Sequence, residues 1–198
     1  TALFFIVWDI IFTKIGVWSF NPRYHAGIEF FGLPIEEWLF FICIPYASIF
    51  IHFSFQYFFP NVALSDTVVK RIYWLLMIIL IPIAVLNYDR WYTFVNFSLF
   101  IIVITIAVFK VGQILNTYFI TFLIILLPFL VVNGILTGSF IDEPVVFYND
   151  NENLGIRLGT IPVEDVGYAF TMLLMSLILI KIMDIKNENI QKGNRSIY

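Results

Sequence analysis

A chain of 198 residues that is 61% hydrophobic and 13% charged, with a mean hydropathy of +0.91, is too apolar for a soluble globular domain. Its net charge of −3 comes without any basic cluster, so no nucleic-acid partner is expected. The lone Cys43 excludes an intrachain disulfide, and His25 and His52 lack metal-ligand spacing, so no metal site is expected.

A bilayer needs apolar helices of about 20 residues at about 1.5 Å each. Six such spans are predicted, over 1–18, 34–58, 72–87, 91–109, 116–137 and 161–183. The expected fold class is therefore all-α, a polytopic transmembrane helix bundle forming a single membrane-integral domain. The first span carries Asp9 in mid-run. The second holds Cys43, read as core filler. The third is interrupted by Pro82, and residues 184–198 form a polar tail. No basic start and small-residue cleavage site marks a secretory signal.

Spans alternate in direction, so loops 14–33, 88–90 and 138–160 share one face. Loops 59–71 and 110–115 share the other with the tail. Lys14, Arg23, Arg90 and Arg157 lie on the first face; Lys70, Arg71, Lys110, Lys181, Lys186, Lys192 and Arg195 lie on the second. The excess predicts a cytoplasmic second face and C-terminal tail.

One motif occurs twice on the first face. Gly27-Ile28, Pro34 and Glu36-Glu37 recur as Gly155-Ile156, Pro162 and Glu164-Asp165, all at an offset of 128 residues. Asn21 and Asn149 keep that offset, and the stretch Trp8–Thr13 matches Val132–Thr137 at 124, pairing Asp9 with Asn133. Four spans separate the motifs, so the repeat is parallel. Repeat 1 is read over about 1–58, a linker helix over 72–87 and repeat 2 over 91–183. Two three-span units joined in parallel need a span before residue 1, so seven spans are expected in the native protein.

Proline is tolerated in the first helical turn, where its missing N–H has no partner to lose, so Pro34 and Pro162 mark helix starts. Acids beside them suit the positive end of the helix dipole, which is the plain structural reading. Adjacent pairs in both halves, at the membrane boundary, favour a functional one. A carboxyl pair can hold one proton and present an acid beside a base. Asp9 and Asn133 are read either as polar contacts between helices or as groups orienting those carboxyls. Asn21, Tyr24, Tyr148 and Asn149 flank the motifs as candidate donors, and Arg157 either pairs with an acid there or lies at the interface. Trp38, Phe40, Phe41 and Tyr168 lie one turn below the acids, where π faces can stabilise a cation without accepting its proton. No phosphate-cradling or GxGxxG loop is present, so no cofactor is expected.

The stretches SFNPRYHAGIEFFGLPIEEWLFF and NGILTGSFIDEPVVFYNDNENLGIRLGTIPVEDVGYAF resemble the membrane-integral lycopene cyclase domain. This type occurs as two small subunits in actinobacteria and as one fused chain in archaea, Bacteroidetes and fungi, and the fused arrangement here is similar to the Bacteroidetes and archaeal form. The resemblance implies a β-cyclase in a bacterial inner membrane, acting through Glu36, Glu37, Glu164 and Asp165. An acid protonates the terminal alkene of lycopene, the neighbouring double bond attacks the cation, and a carboxylate removes a proton to leave a β-ring. This is isomerisation without a redox cofactor, unlike the flavin-dependent cyclases of soluble fold. Implied partners are membrane lipid and the polyene, with carotenoid-pathway enzymes or a second copy of the chain as further candidates. Val166-Gly167 in place of Trp38-Leu39 leaves open one composite site or two. Another isoprenoid end-group enzyme and a proton-coupled transporter remain as rivals.

Overall fold

The computed structural model describes residues 1–195, with side chains described through Lys186. Six helices dominate: α1 (Ala2–Ile15), α2 (Ile35–Phe58), α3 (Asp66–Leu86), α4 (Trp91–Lys110), α5 (Gln113–Leu136) and α6 (Val163–Arg195). Five of them, α2 to α6, are long and apolar enough to cross a membrane. Leu3, Tyr46, Phe50, Ile78, Leu86, Phe109 and Leu127 all point outward, the distribution of an integral membrane protein whose solvent is lipid.

Helix ends depart from the sequence reading where local capping decides. The first span stops at Ile15 because Gly16 adopts φ 78° and its N–H closes onto Phe12 and Thr13 carbonyls. With 14 residues, α1 does not reach spanning length. Helix α3 begins six residues earlier than expected, since Ser65 Oγ accepts from Val68 N and caps it; Lys70 and Arg71 thus lie in the helix, not in a loop. Helix α5 starts at Gln113, which leaves Val111–Gly112 as the whole connection. Helix α6 runs through most of the expected tail, and residues 196–198 lie outside the described residues, as do the side chains of Lys192 and Arg195. Cys43 is exposed and fills no core.

Three small antiparallel ribbons, all on the face of the acidic motifs, were not expected from an all-α reading. Strands β1 (Trp18–Phe20) and β4 (Val146–Tyr148) pair across the two long loops in the register Trp18↔Tyr148. Strands β2 (Glu29–Phe30) and β3 (Leu33–Pro34) form one hairpin; β5 (Arg157–Leu158) and β6 (Ile161–Pro162) form another. Pro34 and Pro162 therefore end strands just before their helices instead of occupying the first turn. The hairpins leave their N–H positions unneeded, as an edge strand does.

Two clusters fill the interior. One joins α3, α4, α5 and α6 through Tyr73, Phe100, Ile104, Tyr118, Phe170 and Leu174, with the Phe100 and Phe170 rings stacked at 4.5 Å. The other gathers Phe5, Trp8, Phe12, Trp18, Leu33, Phe41 and Tyr92 beneath the ribbons. Lipid tails match apolar side chains, so helix association there depends on close packing and interhelical hydrogen bonds.

Candidate active site

The two acidic motifs fold alike. Gly27 and Gly155 open them at φ 79° and 69°, a region that L side chains rarely adopt. Each chain then turns back, and the first helical N–H bonds to the carbonyl seven residues earlier: Ile35 N to Ile28 O at 2.9 Å, Val163 N to Ile156 O at 3.0 Å. The first acid of each pair closes the turn. Glu36 Oε1 accepts from Ala26 N at 2.8 Å, and Glu164 Oε1 accepts from Leu154 N at 2.7 Å.

The second acids, one residue on, face inward and meet. Glu37, Asp165 and Asp9 line a single cavity of about 60 Å³ with Asn133, Tyr92 and Tyr148. Trp18, Phe40, Phe41, Phe129 and Tyr168 complete its aromatic wall. Among the described residues, no lysine, arginine or histidine lines it.

The three carboxyls differ in their partners. Asp165 accepts from Asn133 Nδ2 at 2.6 Å, from Tyr148 Oη at 3.0 Å and from Tyr92 Oη. Asp9 Oδ1 accepts from Trp18 Nε1 and from Thr13 Oγ1 at 3.4 Å, while its Oδ2 is buried without a partner among the described residues. Glu37 has no hydrogen-bond partner among the described residues. The Trp18↔Tyr148 register pair thus delivers one donor to Asp9 and one to Asp165, so the β1–β4 ribbon ties both carboxyls to one frame. Burial pushes the Tyr148 phenol well above its ordinary value, and the charges of Asp165 and Glu37 act in the same direction, which keeps it a donor.

Several expected partners stand elsewhere. Asn21 bonds Glu143 and the Pro144 carbonyl at 3.1 Å and caps a short 3₁₀ turn, because the β1 strand turns it toward the other loop. Tyr24 packs under the Arg23 guanidinium at 5.8 Å. Asn149 donates to the Gly16 carbonyl. Arg157 pairs with Asp150 at 2.5 Å and the Thr160 carbonyl at 2.8 Å, not with a motif acid, since its strand faces the loop. Trp38 leaves the cavity and packs on Phe30 and Phe31 of its hairpin. Asp9, Asn133, Phe40, Phe41, Tyr148 and Tyr168 all line the one cavity.

The 91–109 span is present as α4, but its polar residues are not among the expected site residues. Tyr92 bonds Asp165, Thr93 Oγ1 donates to Glu164 Oε1 at 2.7 Å, and Asn96 Nδ2 donates to the Glu164 carbonyl at 2.6 Å. The signal was a Tyr-Thr-x-x-Asn run opening an apolar span, in which Asn96 lies one turn from both Tyr92 and Thr93. Trp18 and Phe129 carried no comparable signal.

Fold and site define a polytopic helical membrane protein with a carboxyl-bearing aromatic cavity at one end of its bundle. The family described as Lycopene cyclase matches residues 1–58 and 89–183, and the chain belongs to that family. Membership makes it an enzyme of carotenoid biosynthesis in the role of a carotenoid cyclase. Comparison with curated proteins and with solved structures gives no match.

Proposed function

We propose that this chain is a lycopene β-cyclase with one composite site, in which Glu37 delivers a proton and Asp165 removes one. The observation that carries the proposal is the convergence of Glu37 and Asp165, from different acidic motifs, on one aromatic cavity. The reaction needs an acid and a base at one end group, and a carboxyl without donors opposite a carboxylate with three meets that need. The matched segments leave out residues 59–88, which hold α3; this supports reading α3 as a linker between two copies of one unit.

The steps balance. The Glu37 carboxyl gives its proton to the terminal alkene of the linear carotene, leaving a carboxylate and a tertiary cation. The neighbouring double bond attacks that cation, forming the ring's new carbon–carbon bond and moving the charge into the ring. Asp165 then takes a ring proton, and the remaining electron pair becomes the ring double bond. The proton returns from Asp165 to Glu37 across the cavity, so no net proton or electron is consumed. Asp9 lines the cavity with Glu37 as its counterpart Asn133 does with Asp165. Where the amide donates to its acid, Asp9 can contact Glu37 in the same way only when the pair holds a proton, which makes it the proton reservoir. Phe40, Phe41, Phe129 and Tyr168 present π faces to the cation and keep water from quenching it. Glu36 and Glu164 hold the hairpins and set the direction of the acids that follow them.

The test is expression of the full reading frame in a lycopene-accumulating bacterium, with pigments separated by chromatography. Cyclised carotene from the wild type, lost in Glu37→Gln and Asp165→Asn, is the expected result. Unchanged lycopene despite confirmed membrane expression would reject this substrate and shift the reading to another isoprenoid end-group enzyme, then to proton-coupled transport.

A further inference from the structure

We infer that the polyene chain of the substrate lies in the cleft between α2 and α5, threaded past Phe40 and Phe129 so that only its terminal isoprene units reach the acids. The inference rests on the cyclase reading above. A second cavity of about 110 Å³ occupies this cleft, walled by Ile44, Ser48, Ile51, Ile125 and Pro128. It shares Phe40, Phe129 and Asn133 with the acid cavity, so the two spaces meet at a pair of aromatic rings.

Each wall of the cleft carries a helix proline. Pro45 and Pro128 lie inside α2 and α5, and each removes a backbone N–H and crowds the carbonyl four residues earlier, which weakens the helix locally. Ala47 is exposed at the rim and Val132 half so, which leaves the cleft open sideways to lipid. Beyond Ile51 a polar clasp closes it. His52 Nδ1 meets Thr121 Oγ1 at 2.7 Å, and Gln56 Nε2 donates to Thr117 Oγ1 at 2.8 Å. From Glu37 to His52 the helix rises about 22 Å, which sets the length of chain between acids and clasp.

A larger space, about 490 Å³, lies between α1 and α4 against Leu3, Val7, Trp8 and Leu99. It shares no lining residue with the acid cavity, so continuity, not volume, selects the α2–α5 cleft. The occupant is a long, apolar, rigid chain with a reactive alkene at its tip. An acyl chain of the bilayer would fill the same walls but brings no alkene to Glu37.

The experiment compares lycopene with a truncated polyene that carries the same terminal units but ends short of Ile44. Ala47→Trp fills the rim of the cleft, and Val7→Trp fills the other groove. Ala47→Trp should lower conversion of lycopene about tenfold or more, as expected for displacing a buried apolar segment. The truncated polyene should still be cyclised, and Val7→Trp should leave both substrates unaffected. Full conversion of lycopene by Ala47→Trp, or selective loss in Val7→Trp, overturns the assignment. Wild-type protein that converts neither substrate would instead overturn the cyclase reading. A second measurement covers poor folding of the tryptophan variant. In a Cys43→Ser background, an apolar thiol reagent labels Ala47→Cys; lycopene should slow labelling severalfold, while a saturated hydrocarbon of equal length should not. Equal protection by both means the cleft holds lipid only and sinks the proposal.

Discussion

The acidic motif that opens α2 and the one that opens α6 share backbone geometry and differ in their surroundings. Glu36 is exposed, whereas Glu164 is 0% exposed and bonded by Thr93 and Asn96 of α4. Position 39 is Leu, 52% exposed; its counterpart at 167 is Gly, where an added Cβ would stand 3.2 Å from the Phe97 ring and 3.6 Å from Asn96 Nδ2. Missing that side chain, α6 admits α4 at close range, and α4 then supplies Tyr92 to Asp165. Glu37 receives no such donor. One local fold thus yields two different carboxyl groups because one copy is clamped by a neighbouring helix and the other has no hydrogen-bond partner among the described residues.

The sharpest way to break this comparison is to neutralise the acids singly. Glu37→Gln should lower cyclisation by about 10²–10⁴-fold, the usual worth of a positioned acid. Glu36→Gln keeps an oxygen for Ala26 N and should stay within about threefold of wild type. Equal losses from the two would remove the division of labour between first and second acids.

Next comes the helix contact. Gly167→Leu drives a side chain into Phe97 and should cost about 1–3 kcal/mol, read as a lowered midpoint of thermal unfolding in detergent. Leu39→Gly, the converse change in the other copy, should cost about 1 kcal/mol from helix propensity alone. If both variants unfold at the same temperature, the clamp by α4 is not what separates the halves.

A smaller effect is expected at Tyr148, one of three donors to Asp165. Tyr148→Phe should reduce turnover about tenfold, the loss of roughly one hydrogen bond to a charged group. Because the phenol is pushed well up by burial, the pH profile of the wild type should show no tyrosine limb near neutrality. Such a limb, absent in Tyr148→Phe, would make this tyrosine a proton carrier instead of a donor.

The smallest belongs to the second loop, where Arg157 pairs with Asp150; at the matching place of the first loop Glu29 instead faces His25 at 3.6 Å. Burial raises the Asp150 carboxyl, but its bonds to Arg157 and Asn153 outweigh this and hold it below the ordinary value. A carboxyl lowered in the folded state stabilises above its unfolded value near 3.8 and loses that contribution as pH falls through the folded one. With side-chain exposures of 29% and 61%, the pair contributes no more than about 1 kcal/mol. Asp150→Asn should therefore shift the unfolding midpoint slightly at neutral pH and not at all in strong acid.

Composition and apolar run length sufficed for the helical membrane bundle, because crossing lipid forces long apolar segments whatever their neighbours. The doubled Gly-Ile, Pro and acid spacing likewise sufficed for the two helix starts, since local turn chemistry reads only a few residues. Cap signals at Gly16 and Ser65 are in the sequence too, but a helix starting at Ser65 takes in Lys70 and Arg71, charges that composition alone assigns to a loop.

What the chain's order of residues left open was which acids meet. Adjacent residues on a helix point about 100° apart, so Glu36 and Glu37 cannot serve the same space. Which of the two faces inward depends on where the hairpin docks. The β1–β4 ribbon brings Trp18 beside Tyr148 over more than a hundred residues of intervening chain, and α4 reaches α6 only in the packed bundle. Contacts of that kind are set by the close fit of whole helices, and no local pattern records them.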